Sequence, residues 1–435
     1  MQLFDALQEV DESEMFPLIQ AVKRLTAFAE SHSIYQYNTL ITNNTFTILK
    51  WAVYNEGFSS EFVSRALSLA RAIITWNLTR LLDLLKSSEN TNQNDDGNND
   101  ANLEEKNVEI KDLCEYLSKL SKKYFKLCSK LFVNENAQIE EEAYFEMCDI
   151  LILFSPHLSA NSGISPNIAS NHLKSLHLDC SLNDMNMLAM YVNAHVFTED
   201  ALKDAKADSA ETIERLHKKR SILAAFAKLI SFNCVPIRYA AEIFRAYIKY
   251  APAYMDIVKH LLHSCRDISK VNTAKAICLA LQREYSECAQ QHNGEDANRM
   301  DRSSSEFLAL KDLAHRFCLS FGPEASVKSR EAIVAIHQEA IKFALESTAS
   351  SINASQASNA SSVNLNQAPP NLVFLECIIE FSSRLTPQDK RNVLGELDKA
   401  FAKRANKIEA NNWHSYYAYR IRFVAKKKFN FLFLN

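Results

Sequence analysis

Apolar residues recur every three or four positions along almost the whole chain. That spacing places them on one face of an α-helix, because 3.6 residues complete a turn. In "PIRYAAEIFRAYIKYA", Ile237, Ala241, Phe244 and Ile248 fall on one face, and Arg238, Glu242, Arg245 and Lys249 on another. The same periodicity predicts helices over 14–31, 38–56, 58–87, 106–132, 136–155, 182–196, 209–231, 236–251, 254–264, 268–291, 304–321, 327–347, 370–385, 387–406 and 411–427. Some ends are marked. Ser303 and Glu306 have the spacing of a capping box, in which hydroxyl and carboxylate each satisfy a free backbone N–H. Phe307, Leu310, Ala314, Phe317 and Phe321 follow as one apolar face, and Gly322-Pro323 stops the helix. Thr386-Pro387 starts a later one, with Thr suited to the cap and Pro to the first turn.

Three stretches break the pattern. Residues 87–103, with "SSENTNQNDDGNNDAN", are polar and acidic; 347–369 is a Ser/Asn/Ala tract; 157–168 is shorter. The first two lack the apolar anchors needed to offset the entropy of ordering, and all three are expected to be disordered loops. Residues 1–13 read as an N-terminal extension and 426–435 as an atypical tail. Between them, 14–425 reads as helices in consecutive pairs. The predicted class is all-α, an α-solenoid of HEAT-like antiparallel helix pairs with repeats of about 40–47 residues.

Composition agrees with this picture. The 435 residues include only six Gly and nine Pro, with 47% hydrophobic residues. Sheets and tight hairpins consume Gly, and long helices do not. The net charge of −3 gives no global attraction to nucleic acid or to an anionic membrane. The ten cysteines are scattered, no two within four residues, which suits small hydrophobes in a reducing compartment. The acid-bearing start "MQLFDALQEVDESEMF" does not read as a signal peptide. No apolar run approaches the roughly 20 residues that span a bilayer.

Candidate chemistry is sparse. The sequence has no P-loop, GxGxxG, GxSxG or HExxH pattern, and we expect neither an enzyme nor a cofactor, metal or small-molecule substrate. His260 and His263 lie one turn apart near Cys265, most simply as surface histidines. Glu140–Glu142 and Glu146 read as a solvated helix start favoured by the macrodipole. Lys218, Lys219 and Arg220 follow one another in "ERLHKKRSILAAFAKLI". They read either as a solvated surface or as a contact for phosphates or an acidic partner.

Longer motifs carry a resemblance. "RLHKKRSILAAFAKLI", "VNTAKAICLALQ", "DRSSSEFLALKDLAHRFCLSFG", "VKSREAIVAIHQEAIKFA" and "PPNLVFLECIIEFSSRLTPQDKRNV" resemble the stromalin (SA/STAG) family of cohesin subunits. "MFPLIQAVKRLTAFAESH", "MCDILILFSPHL" and "WHSYYAYR" extend the likeness over about residues 14–420, in the family's order. The chain looks like the C-terminal half of the stromalin HEAT array. The family's N-terminal repeats and its long C-terminal tail have no counterpart, and "AKKKFNFLFLN" stands in the tail's place.

The resemblance implies a non-catalytic, nuclear, chromosome-associated adaptor. It would bind the kleisin subunit and, through it, the SMC ring, in support of sister chromatid cohesion and chromatin association. Asp149, alone among hydrophobes in "YFEMCDILILFSPHL", matches a position that would hold a basic kleisin side chain. Lys228, in "AAFAKLI", would face an acidic one. DNA contact is expected through Lys218, Lys219 and Arg220, with Arg238, Arg245 and Lys249 beside them. The alternative is a HEAT-type scaffold or transport adaptor unrelated to cohesin.

Overall fold

A computed structural model describes residues 38–54, 59–93, 100–166, 172–207, 209–291, 301–322, 324–346, 369–402 and 413–424, with scattered helical positions between 20 and 28. The predicted extension 1–13, most of helix 14–31, the Ser/Asn tract up to residue 368 and the tail 426–435 lie outside the described residues. Among the described residues every regular element is a helix, and none is a strand. The chain divides into two compact units. The first comprises residues 1–196 with 221–235, the second residues 197–220 with 236–435.

The first unit contains α1 (Asn38–Ala52), α2 (Ser60–Gln93), α3 (Asp100–Leu131), α4 (Ala137–Leu153), α5 (Leu182–His195) and the last half of α6 (Ala210–Ser231). Side-chain ties fix their register. Lys130 donates to the Tyr54 hydroxyl at 2.9 Å and Lys123 lies over the Phe46 ring, which sets α1 parallel to α3, and Ser129 at the end of α3 donates to Asp184 at the start of α5 at 2.8 Å. Ser60 meets Gln138 at 2.7 Å and Arg71 meets Glu146 at 3.1 Å, which sets α2 parallel to α4. Tyr144 donates to the Ile222 carbonyl at 2.8 Å, and the Cys234 thiol to that of Leu151 at 3.2 Å, which sets α4 parallel to α6. Between the layers the sense reverses: Arg80 of α2 reaches Glu109 of α3, while the Tyr124 hydroxyl lies 2.9 Å from the Leu67 carbonyl. The unit is thus two layers of antiparallel pairs.

The second unit repeats the plan. A 3-10 turn (Ile237–Tyr239) leads into α7 (Ala240–Arg245). With α9 (Lys270–Gln291), α11 (Arg330–Glu346) and α13 (Pro387–Ala402), α7 forms one parallel layer. Arg245 pairs with Glu284 at 3.0 Å, Lys270 donates to the Lys328 carbonyl at 2.9 Å, and Arg330 grips Asp389 at 2.8 Å. The opposing layer holds α8 (Ala251–Ile268), α10 (Ser305–Ser320), α12 (Leu375–Ile378) between two 3-10 turns, and α14 (His414–Ile421). Each unit therefore has the stacked-pair construction of an α-solenoid, and the predicted fold class holds.

The repeat is not uniform about the expected 40–47 residues. Equivalent partners are separated by 75–83 residues along α2, α4 and α6 of the first unit, and in the second unit by 39 residues between α7 and α9 and by 57–59 between the later parallel helices. Helices of 34 and 32 residues at α2 and α3, rather than extra elements, account for much of the excess.

Other expectations need correction. Residues 87–103 were read as a disordered loop, yet α2 runs on to Gln93 and α3 begins at Asp100, so only 94–99 lie outside the described residues. Ser88 is buried, and the Glu89 carboxylate accepts from the Ser165 N–H at 3.2 Å, which anchors the extension. The same contact orders part of the predicted loop 157–168, where Leu158–Asn161 forms a helical turn. The predicted helix 236–251 loses its α form after Arg245, where Tyr247 N–H reaches back only three residues to the Phe244 carbonyl. Lys249 therefore does not continue the face of Arg238 and Arg245.

The cap of α10 is Ser304, whose hydroxyl accepts from the Phe307 N–H at 3.2 Å; Ser303 instead bonds Asp301. The stop is as expected: Gly322 has φ +77°, donates to the Leu319 carbonyl and accepts from Arg384 at 3.2 Å. A Cβ there would meet no atom within 4 Å, so the only cost of Gly322→Ala is the left-handed backbone. We expect that variant to lose about 1 kcal/mol in urea unfolding.

Candidate partner-binding face

In the first unit, α4 has the opposing layer behind it and parallel neighbours at both flanks. Ile139, Ala143, Tyr144, Met147, Cys148, Ile150 and Leu151 are buried accordingly. The positions left open include one stripe, Gln138, Glu142, Phe145, Asp149 and Ile152, of which Gln138 and Asp149 are exposed and the others half-buried. The buried residues of α6 in this unit, Ile222, Leu223, Phe226, Ala227, Leu229 and Ile230, likewise leave Ser221, Ala224, Lys228 and Ser231. Ala224 and Ala225, both half-buried, give α6 a low-profile surface beside Lys228.

Asp149 and Lys228 stand at matching levels. Asp149 lies five residues beyond Tyr144, and Lys228 six beyond that tyrosine's partner Ile222. The fold sets the two expected kleisin residues on adjacent parallel helices of one unit, about 8–10 Å apart from axis to axis. Both are exposed while their sequence neighbours Cys148, Ile150, Ala227 and Leu229 are buried. "Alone among hydrophobes" thus marks the single solvent position of a helical turn.

Sequence reading missed the group beneath them. Glu146 is not a solvated acid: it is 5% exposed. It accepts from Arg71 Nε at 3.0 and 3.1 Å through its two oxygens, and from the Tyr124 hydroxyl at 2.9 Å. Tyr124 reaches it from the opposing layer and Arg71 from α2. Burial pushes the Glu146 pKa up, against the opposing pull of Arg71 and Tyr124. Burial also opposes the Arg71 cation, but the Glu146 charge and hydrogen bond raise its pKa overall. A charged donor shared between both carboxylate oxygens favours the ionised carboxylate against that burial. Asp149 is close enough for its charge to raise both pKa values.

The expected DNA residues do not form a basic stripe. Lys219, with 17% of its side chain exposed, donates to Thr198 at 3.0 Å and lies 3.7 Å from the buried Asp204, which also holds Arg215 at 2.7 Å. Arg220 is bonded to both oxygens of Asp256 and to the Ala253 carbonyl. Arg245 sits among Glu242, Glu284 and Glu287. Lys218 is exposed, Arg238 lies over the Tyr239 ring and Lys249 over that of Tyr250. Three of the six charges are therefore neutralised by carboxylates far away in sequence. His260 and His263 are exposed, and His263 lies 3.4 Å from Asp267. All ten cysteines are buried thiols.

Comparison with known proteins matches residues 270–426 to the STAG protein C-terminal domain family. Cohesin subunit SA-1 of Xenopus laevis is 28% identical over 424 residues, covering 96% of this chain and 30% of that protein. Cohesin subunit SA-3 of Homo sapiens is 28% identical over 90% of this chain and 28% of that protein. Cohesin subunit scc-3 of Caenorhabditis elegans is 32% identical over 62% of this chain and 22% of that protein. The chain spans less than a third of the length of these curated relatives. Likeness to the SA subunits runs along nearly all of it, and the resemblance carried by the motifs holds.

Proposed function

We propose that this chain, related to the cohesin SA subunits along nearly its whole length, is a non-catalytic cohesin adaptor that binds the kleisin subunit. Through kleisin it would join the SMC ring, support sister chromatid cohesion and reside on chromosomes in the nucleus. The observation that carries the reading is the open face of α4 and α6. There an exposed acid and an exposed base, Asp149 and Lys228, stand level with each other beside half-buried Phe145, Ile152 and Ala224. A partner chain laid across that face gains apolar contact and places its own charges against both. The scaffold unrelated to cohesin is disfavoured by SA likeness over 96% of the chain. Direct DNA binding is the weaker reading, because Lys219, Arg220 and Arg245 already have carboxylate partners.

Calorimetric titration with the kleisin subunit tests the proposal. Partly desolvated charge pairs lose about 2–5 kcal/mol when one member is removed. Asp149→Lys and Lys228→Glu are each expected to weaken binding more than tenfold. Both positions are exposed, so helical content should be unchanged. Wild-type affinity in both variants would remove these residues from the interface.

A further inference from the structure

We propose that Arg71 is the third charged contact of this face, and that the partner presents an extended acid–x–x–base–x–x–acid segment. This inference rests on the kleisin-binding reading and deepens it. Arg71 sits on α2, the parallel neighbour of α4 on the flank away from α6. Its hydrogen bonds to Glu146 run through Nε, and 39% of its side chain is exposed. Glu146, with 6% of its side chain exposed, is spent within the fold, gripped by Arg71 and Tyr124. The buried carboxylate therefore orients the guanidinium without removing it from the surface. Three consecutive parallel helices then offer plus, minus and plus: Arg71, Asp149 and Lys228.

Spacing selects the conformation of the partner. Parallel neighbours lie about 8–10 Å apart. A polyproline II segment rises about 3.1 Å per residue and returns to the same side every three residues, roughly 9.3 Å. A β-strand returns to one side every two residues, about 6.6 Å, and would miss alternate helices. An extended segment with an acid, a base three residues on and an acid three further therefore meets all three helices. The pattern reads the same in either chain direction, so charge alone does not fix polarity. Replacing a well-placed arginine by lysine would lose the planar donor pair that matches a carboxylate.

The test is a double-mutant cycle in the full chain with the full kleisin subunit. Arg71→Met alone would strand Glu146, so it is combined with Glu146→Met, which leaves Tyr124 its Leu67 carbonyl. The kleisin base is the residue whose reversal to Glu restores binding to Asp149→Lys. The acid under test lies three positions from it, on the side away from the acid that answers Lys228. Changing that acid to Gln should weaken binding to the wild-type chain about tenfold, and to the double variant less than twofold. The double variant itself should bind about tenfold more weakly than wild type. Undiminished affinity in the double variant, or a full tenfold acid-to-Gln loss that persists in it, overturns the role of Arg71. If Asp149→Lys loses binding while the double variant does not, only the Arg71 contact fails. If the wild-type chain does not bind kleisin, the underlying reading fails with it.

Discussion

Lowering the pH from 7 to 5 is expected to destabilise the second unit by about 2 kcal/mol through one residue, His337. This histidine is completely buried in α11, with Nδ1 at 2.5 Å from the Tyr419 hydroxyl of α14 and the Tyr419 and Phe423 rings around it. Burial pulls its pKa down to about 3, against an ordinary value of 6.5. Between those values the unfolded chain binds a proton that the native protein does not. Native stability therefore falls as pH drops below about 6.5, and continues to fall toward pH 3. Each pH step in that window is worth about 1.4 kcal/mol. Comparison with His337→Gln isolates the effect, because glutamine still offers the tyrosine a partner but does not titrate. Urea midpoints at pH 7 and pH 5 should separate by about 2 kcal/mol more in the wild type than in the variant. Equal pH dependence would mean that His337 is not the buried neutral group described.

Arg71→Ala is expected to cost about 2–3 kcal/mol, whereas Arg71→Met with Glu146→Met should stay close to wild type. Removing one member of a buried pair leaves the other charge without compensation, and the usual loss is about 3–5 kcal/mol. Arg71 keeps 39% of its side chain in contact with water. Solvent screens part of the stranded charge, and the lower figure follows. Replacing both partners removes the desolvated charge and fills the seam between α2 and α4 with apolar volume. Urea unfolding of the two variants checks this. A similar large loss in both would mean that packing, and not the stranded carboxylate, sets the cost.

The helices were legible because apolar period and end signals are local. The face Phe307, Leu310, Ala314 and Phe317 is buried as its spacing required, and Gly322 ends the helix with a positive φ. Thr386 caps α13 as expected, accepting from the Asp389 N–H at 3.2 Å. What could not be read depends on partners distant in sequence. Glu146 looked like one of a run of solvated acids, and only the fold brings Arg71 and Tyr124 to it. Lys219, Arg220 and Arg245 looked basic, and their carboxylates arrive from Asp204, Asp256 and Glu284. The polar stretch after Ser87 looked unanchored because its contact, Glu89 to Ser165, spans 76 residues. One signal for the missed site existed: an arginine at position 71, followed by Ala72, Ile73 and Ile74 in the largely apolar helical run 62–74, the kind of residue that needs a partner.

The central claim is that kleisin lies on the open face of α2, α4 and α6. Photo-crosslinking tests it most directly, with a benzophenone side chain placed in turn at Phe145, Ala224 and Met190. Phe145 and Ala224 are half-buried on that face, while Met190 is 70% exposed on α5 in the opposing layer. The account predicts kleisin adducts from positions 145 and 224 and none from 190. Adducts from 190 with none from 145 or 224 would contradict it.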